Sequence, residues 1–193
     1  MYNEQEAISG NKFPVLRTDR LELVQITVDN VKDIYELFSD TQVVAFYNLL
    51  PFQKEEEAAA IIEKLQALYN ERLGIRWGIR LKGTTKIIGS AGFNNYTKNH
   101  RANIGYDLKP EYWNKGIVTE AIKAIVNYGF DTLQVNRIEA EVMSGNVFSE
   151  RVLEKCDFKN EGLLRSWMFW NDKHFDMTIF SILKSDVNIN LDH

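Results

Sequence analysis

The stretch IGYDLKPEYWNKGIVTEAIKAIVNYGFD, Ile104–Asp131, decides how the chain is built. It reads as strand, loop and helix. Ile104 to Leu108 alternate and carry β-favouring residues, which predicts a short strand. Pro110 ends it, because proline has no N–H for the ladder. Ile117, Ala121, Ile122, Ala124, Ile125, Tyr128 and Gly129 recur near helical spacing and predict a helix from about Gly116 to Phe130. No acidic residue enters its first turn before Glu120. The free N–H groups there face a loop holding Lys115 and Gly116, and such a helix start attracts an anion through its amides and its dipole. Gly116 lets backbone and ligand approach closely. The plain alternative is a helix start beside a surface lysine. Neither G-x-x-x-x-G-K-[ST] nor G-x-G-x-x-G is present, so nucleotide folds of those types are not supported.

Upstream, Arg20–Ile26 alternate as a strand, and Thr27 suits an N-cap for a helix over Val28–Phe38. Asp40–Phe52 reads as a loop. Its Val43, Val44, Phe46, Tyr47, Leu49 and Leu50 are too apolar to be fully exposed; they are either core or the wall of an acceptor pocket. A helix over Lys54–Leu73 ends at Gly74. Strands Ile75–Leu81, Lys86–Asn95 and His100–Leu108 follow as an antiparallel meander with turns at 82–85 and 96–99. The next strand, Arg137–Met143, returns parallel to its predecessor, because a helical crossover joins them. A short helix over Val147–Cys156 and two strands, Phe158–Phe169 and His174–Leu183, complete the pattern. Residues 1–13 and the tail from 186 read as loosely held, leaving one domain over 14–185 with no internal repeat.

The 193 residues are 45% hydrophobic and 26% charged, enough for one domain with a substantial core. A net charge of −4 argues against general nucleic-acid binding. One cysteine excludes an internal disulfide and fits a reducing cytosol. No apolar run reaches the ~18 residues of a membrane span, and the N-terminus lacks the features of a signal peptide. A cytoplasmic protein without membrane or nucleic-acid partners is expected. No Cys/His spacing suggests a metal.

The run from Ile104 through Phe158 resembles the GCN5-related N-acetyltransferases, and within them the RimJ/RimL group of protein N-terminal acetyltransferases. The family's phosphate loop, Q/R-x-x-G-x-G/A, falls on Trp113, Asn114, Lys115, Gly116, Ile117 and Val118. Trp113 is usual in the RimJ/RimL group. Asn114 stands where glycine is frequent, and Val118 where glycine or alanine is expected. The likeness continues in NRIEAEV (Asn136–Val142), in N-x-x-S-x-x-V-L-E-K (Asn146–Lys155) and in Asp157-Phe158, where the family usually has Gly-Phe. It covers roughly Leu16–Lys184. It implies an α+β fold with a mixed, mostly antiparallel seven-stranded sheet, helices on both faces, and central strands 4 and 5 splayed to admit the cofactor's pantetheine arm.

The resemblance implies an acetyl-CoA-dependent N-acetyltransferase. Its bets for holding the cosubstrate are the backbone of Asn114, Lys115, Gly116, Val118 and Thr119 around the pyrophosphate, with the Lys115 ammonium as a direct charge contact or simply solvated. Tyr106 and Leu108 would pair with the pantetheine amides as an added strand would. Asn146 and Ser149 read first as a helix N-cap with a polar N3 residue. In the family the matching asparagine hydrogen-bonds the pantetheine, and in the RimJ/RimL group the matching serine resembles the acid that protonates the leaving thiolate. Many members instead use a tyrosine in the slot that Leu153 fills here. Arg151 either neutralises the 3′-phosphate or is surface.

Glu141 is the first candidate base, with a solvated strand face as its alternative; Asp107 and Asp176 are weaker ones. His174 and Asp176 read as hairpin structure, and Cys156 as core. The acceptor implied is an amine. A protein N-terminus comes first, since an α-amine has pKa ~7.7–8.0 against ~10.4 for lysine and needs less help to be neutral. Polyamines, amino sugars and amine drugs stay open, as does a domain that binds the cofactor without catalysis. Trp167, Phe169 and Trp170 would form a homodimer surface or cover the sheet.

Overall fold

The computed structural model describes residues 12–188, and the expected loose segments lie outside that range for residues 1–11 and 189–193. The elements, in chain order, are β1 (Leu16–Arg17), β2 (Leu21–Gln25), α1 (Val31–Phe38), α2 (Thr41–Val44), α3 (Glu55–Asn70), β3 (Ile75–Leu81), β4 (Gly89–Tyr96), β5 (Arg101–Leu108), α4 (Ile117–Asp131), β6 (Arg137–Met143), α5 (Val147–Glu154), β7 (Lys159–Trp170), β8 (Lys173–Leu183) and α6 (Lys184–Asn188). The strands form one eight-stranded sheet in the order β1-β2-β3-β4-β5-β6-β8-β7. Only β5 and β6 pair in parallel, so the fold is the mixed, mostly antiparallel α+β sheet expected.

Several details differ from what the sequence predicts, among them Phe13, expected to be loosely held, which packs on Tyr69 and Trp77. The sheet has eight strands where seven are predicted, because two residues of the N-terminal segment, Leu16 and Arg17, pair with Leu23 and Glu22. The strand expected from Lys86 starts at Gly89, since the Ile87 N–H turns away to the Asp33 carboxylate at 2.8 Å. The segment after Asp40 opens with the short helix α2, capped by the Asp40 side chain on the Gln42 N–H. The expected unstructured tail begins instead with α6. There Asp186 accepts the Leu183 N–H at 3.0 Å and pairs with Lys159, while Val187 packs on the core.

Two apolar clusters hold the layers together. On one face, α4 lays Ile117, Ala121, Ile122, Ile125, Val126 and Phe130 onto the sheet residues Trp77, Phe93, Ile104 and Ile138. This is the i, i+4 stripe of an amphipathic helix meeting the inward positions of several strands. On the other face, α1 and α3 cover only the β2–β3 end. Ile34, Leu37, Ala58 and Ile62 meet Ile26 and Ile87 there, and Val43, Val44 and Phe52 join them. These three loop residues are core, which answers part of the question the sequence leaves open.

Along the rest of that second face the middle of the sheet is polar, with the buried Met143 and Met177 pair beyond it. Arg76 donates to Asn94 (3.1 Å), Asn94 to Asn103 (2.9 Å) and Asn103 to Glu141 (3.4 Å), and Trp167 donates to the other Glu141 oxygen (3.1 Å). A polar track thus crosses the sheet from β3 to β7. Gly92 and Gly105 are register partners in its middle. A side chain at Gly105 would meet the ends of Asn94 and Arg76, so glycine there lets the guanidinium lie low over the sheet. Trp167 and Phe169 stay exposed on the edge strand β7. No helix among the described residues is long and apolar enough to cross a membrane.

At Gly92 a Cβ would lie 2.1 Å from the Ile75 carbonyl oxygen and 2.6 Å from the Arg76 Cα, both backbone atoms of β3 that cannot yield without parting two strands. Gly92→Ala is expected to destabilise the fold by at least the ~1–3 kcal/mol of an overpacked core. Urea denaturation followed by tryptophan fluorescence reads this as a lowered midpoint.

Candidate active site

The site begins where β5 and β6 part. Their parallel ladder holds at Arg101↔Arg137, Ala102↔Ile138 and Asn103↔Glu139 and stops there, although the strands run on to Leu108 and Met143. The Lys109 N–H bonds to the Ile88 carbonyl, which makes 88 and 109 a hydrogen-bonded pair of the antiparallel β4–β5 ladder. Such pairs alternate along a strand, so the backbone groups of Tyr106 and Leu108 face away from β4, into the gap. On the far side, the Ser144 N–H bonds to the Asp176 carbonyl, and the same alternation turns the backbone of Glu141 and Met143 from β8 toward the gap.

The chain's own side chains occupy the carbonyls of β5. Trp113 Nε1 donates to the Leu108 oxygen at 2.7 Å, and the Tyr47 hydroxyl to the Tyr106 oxygen at 3.2 Å. The strand's N–H groups are left to the gap. Both α4 and α5 start at this end, at the carboxyl ends of the two parallel strands, where open sheets characteristically hold ligands.

The start of α4 is open. Gly116 is its N-cap, with φ 70°, and Asn114 has φ 59°, a left-handed conformation that asparagine tolerates better than most side chains. No side chain caps the helix, and among the described residues the N–H groups of Ile117, Val118 and Thr119 meet no protein acceptor. Glu120, the one carboxylate of the first turn, is drawn off to the side. It accepts from the Thr18 hydroxyl, the Arg20 N–H and Arg20 Nε. Burial would raise its carboxyl, but these hydrogen bonds and the guanidinium outweigh that and hold it below the usual range. Arg20 also donates to the Lys115 carbonyl at 2.9 Å, pinning the loop. The Lys115 ammonium donates to the Glu111 carbonyl at 2.7 Å and sits 5.5 Å from the Tyr112 ring centroid, at the mouth.

The short helix α5 brings the other predicted residues. Asn146 Oδ1 accepts the Ser149 N–H at 3.2 Å, as an N-cap should. Ser149 Oγ lies 2.6 Å from the Tyr106 hydroxyl, with either oxygen able to donate, and that hydroxyl is also within hydrogen-bond reach of the Ser149 carbonyl at 3.1 Å. Burial pushes the Tyr106 phenol up, so it stays a neutral O–H. The sequence reading gives Tyr106 a backbone role only. Its partnership with Ser149, 43 residues on, carries no sequence signal beyond the side-chain alternation along β5. Phe148 stacks on Trp113 at 6.5 Å, tying α5 to the loop before α4. Arg151 is exposed on α5, and Leu153 is fully buried.

The carboxylates are engaged. Asp107 is wholly buried, paired with Arg76, and accepts from the Ser90 N–H, the Ser90 hydroxyl and the Tyr47 hydroxyl. Burial, and then the Asp107 charge, push the Tyr47 phenol up. Glu141 lies exposed on the polar face, held by Asn103 and Trp167. Asp176 accepts the Ser166 N–H at 2.6 Å while His174 Nδ1 sits 3.3 Å from the Ser166 carbonyl, so both serve the hairpin. Cys156 is buried, with its thiol pushed up to about 12 by desolvation, which makes it a poor acyl carrier. Among the described residues no group of His, Cys, Asp and Glu could hold a metal ion.

A cavity of about 310 Å3 adjoins this region, between the segment after α2 and the β7–β8 turn. Tyr47, Leu49 and Leu50 line it, so this part of the apolar loop does wall a pocket.

The family model for the acetyltransferase (GNAT) domain matches residues 20–159. The uncharacterized N-acetyltransferase YoaA of Bacillus subtilis (strain 168) is 42% identical over 173 residues, covering 89% of this chain and 98% of its own. The ribosomal-protein-serine acetyltransferase of Escherichia coli (strain K12) is 24% identical over 167 residues, 85% of this chain and 93% of its own. Among solved structures, a GNAT-family acetyltransferase from Bacillus anthracis superposes with TM-score 0.80 at 25% identity, over 89% of this chain and 99% of that one. The chain belongs to the GCN5-related N-acetyltransferases, in their RimJ/RimL-like group. It is an acetyltransferase that uses acetyl-CoA as cosubstrate. The residues present fit that molecule: unpartnered amides at a helix start suit a diphosphate, and the gap offers strand N–H groups to an extended amide-bearing arm.

Replacing Lys115 by Glu puts a negative charge at the mouth of α4. Lys115→Glu is expected to raise the CoA dissociation constant on the order of tenfold, about 1.4 kcal/mol, with no change in thermal stability. Isothermal titration checks it; an unchanged constant removes Lys115 from the phosphate site.

Proposed function

We propose that the acceptor is the α-amino group of a protein N-terminus. One observation carries this reading: the carboxylates nearest the gap already hold protein donors, so little of the machinery needed to strip a proton from a lysine-type amine is present. Asp107 accepts from four donor groups and stays a structural anion. Glu141 keeps free lone pairs and exposure, which suits it to take one proton through water. At pH 7.5 a lysine amine of pKa ~10.4 costs about 4 kcal/mol to deprotonate, whereas an α-amine of pKa ~7.7–8.0 costs well under 1. The likeness to the ribosomal-protein-serine acetyltransferase of E. coli supports the same acceptor class.

The backbone of Asn114, Lys115, Gly116, Val118 and Thr119 cradles the pyrophosphate, with Arg151 toward the 3′-phosphate. Tyr106 and Leu108 N–H groups pair with the pantetheine arm, assisted by Asn146. Bound there, acetyl-CoA supplies a thioester whose carbonyl carbon takes the amine's lone pair as its carbon–sulfur bond breaks. Ser149 gives its hydroxyl proton to the departing sulfur. The Tyr106 phenol, 2.6 Å behind it, replaces that proton and regains its own from solvent. Glu141 receives the proton the amine nitrogen sheds.

Ser149→Ala is expected to lower kcat on the order of a hundredfold, within the usual range for a positioned acid, while CoA affinity stays within about threefold. A matching loss of affinity would assign Ser149 to binding instead. With a peptide acceptor, kcat/KM should rise with pH through the α-amine's pKa of ~7.7–8.0 and level off by about pH 9, where that amine is mostly neutral. A rise that continues toward pH 10 would point to a lysine-like amine and overturn the reading.

A further inference from the structure

The cavity beside the gap has a lining that specifies what part of the acceptor it takes; the inference rests on the reading that the acceptor is a protein N-terminus. It measures about 310 Å3, at the small end of the ~300–1,000 Å3 typical of ligand sites. Val44, Leu49, Leu50, Met143, Trp170 and Phe175 supply half of the residues that line it. Its lining holds no carboxylate among the described residues, and its one charged residue is the exposed Lys173.

The cavity shares two residues, Met143 and Tyr47, with the gap between β5 and β6. Met143 closes β6, inside the run that has left β5. Tyr47 lines the cavity and at the same time donates to the Tyr106 carbonyl in the gap. An amine placed at the gap therefore carries its first substituent into this space.

A cationic substituent would lose its hydration against an apolar wall, gain no counter-ion, and face the Lys173 ammonium. An apolar substituent meets no such penalty, and each methylene it buries is worth roughly fourfold in binding. We infer that the cavity takes the side chain of the acceptor's first residue and selects large apolar residues, of the leucine, methionine and phenylalanine kind, over cationic ones. Polyamines and aminoglycosides, which carry several positive charges, are excluded on the same ground.

The test measures thiol release from acetyl-CoA by the full chain, with peptides that differ only in their first residue (Leu, Met, Phe, Ser or Lys) and with spermidine and an aminoglycoside. The expected result is kcat/KM at least tenfold higher for the Leu, Met and Phe peptides than for the Lys peptide, with both polycations at background. Leu49→Asp should cut kcat/KM for the Leu peptide at least tenfold and raise it for the Lys peptide. Lys173→Glu, at the exposed start of β8, should raise the Lys peptide at least threefold, with the CoA dissociation constant unchanged in both variants as the check on folding. Equal rates for all peptides, or a preference for Lys, would overturn the cavity assignment and leave the N-terminal reading standing. Acetylation of spermidine or the aminoglycoside with no peptide accepted would overturn both.

Discussion

The structure depends on a ladder that stops early. Three pairs hold β5 to β6, and beyond Asn103 and Glu139 the two strands separate in the middle of the sheet. Parting strands is costly, because an unsatisfied buried backbone group loses about 1–3 kcal/mol. The chain meets part of that cost with its own side chains: the Trp113 indole takes the Leu108 carbonyl, and Tyr47 takes that of Tyr106. What remains is a set of donors facing a slot, next to a helix start whose amides also lack acceptors. Donors without protein acceptors on two adjoining surfaces fit a ligand that brings many acceptors of its own, as a phosphorylated, amide-bearing thioester does.

The second organising interaction is the buried pair of Arg76 and Asp107. A lone charge in that position would cost several kcal/mol, and the neighbourhood is arranged so that neither is alone. Ser90 gives Asp107 two hydrogen bonds, and the Tyr47 hydroxyl shares its one proton between Asp107 and the Tyr106 carbonyl. Tyr47 thereby ties the apolar segment that walls the cavity to the central strands. The same residues that satisfy a buried ion pair fix the distance between the cavity and the gap. Stability and positioning are two consequences of one cluster.

Much of this was legible in the amino-acid order, for reasons that particular residues make plain. Ile104–Leu108 followed by Pro110 and the apolar stripe from Ile117 to Phe130 specify strand, break and helix through local chemistry, and the meander from Ile75 to Leu108 follows from alternation and turn residues. Gly116 and the late placement of Glu120 mark an open helix start. Short pairings such as Leu16 with Leu23 were hidden, since a two-residue strand has no period to read. The α6 turn depends on Asp186 meeting Lys159 across 27 residues, which no local pattern encodes. The Tyr106–Ser149 contact was out of reach for the same reason. The apolar loop was ambiguous because it is both things at once: Val43 and Phe52 are core, and Leu49 and Leu50 face the cavity.

Hydrogen–deuterium exchange of the backbone amides, with and without CoA, bears most directly on the central claim. Slowed exchange is expected at Ile117, Val118 and Thr119 and at Tyr106 and Leu108 when CoA is present, with the amides of β4 and β8 unchanged. Saturating CoA that protects neither the start of α4 nor the free side of β5 would contradict it.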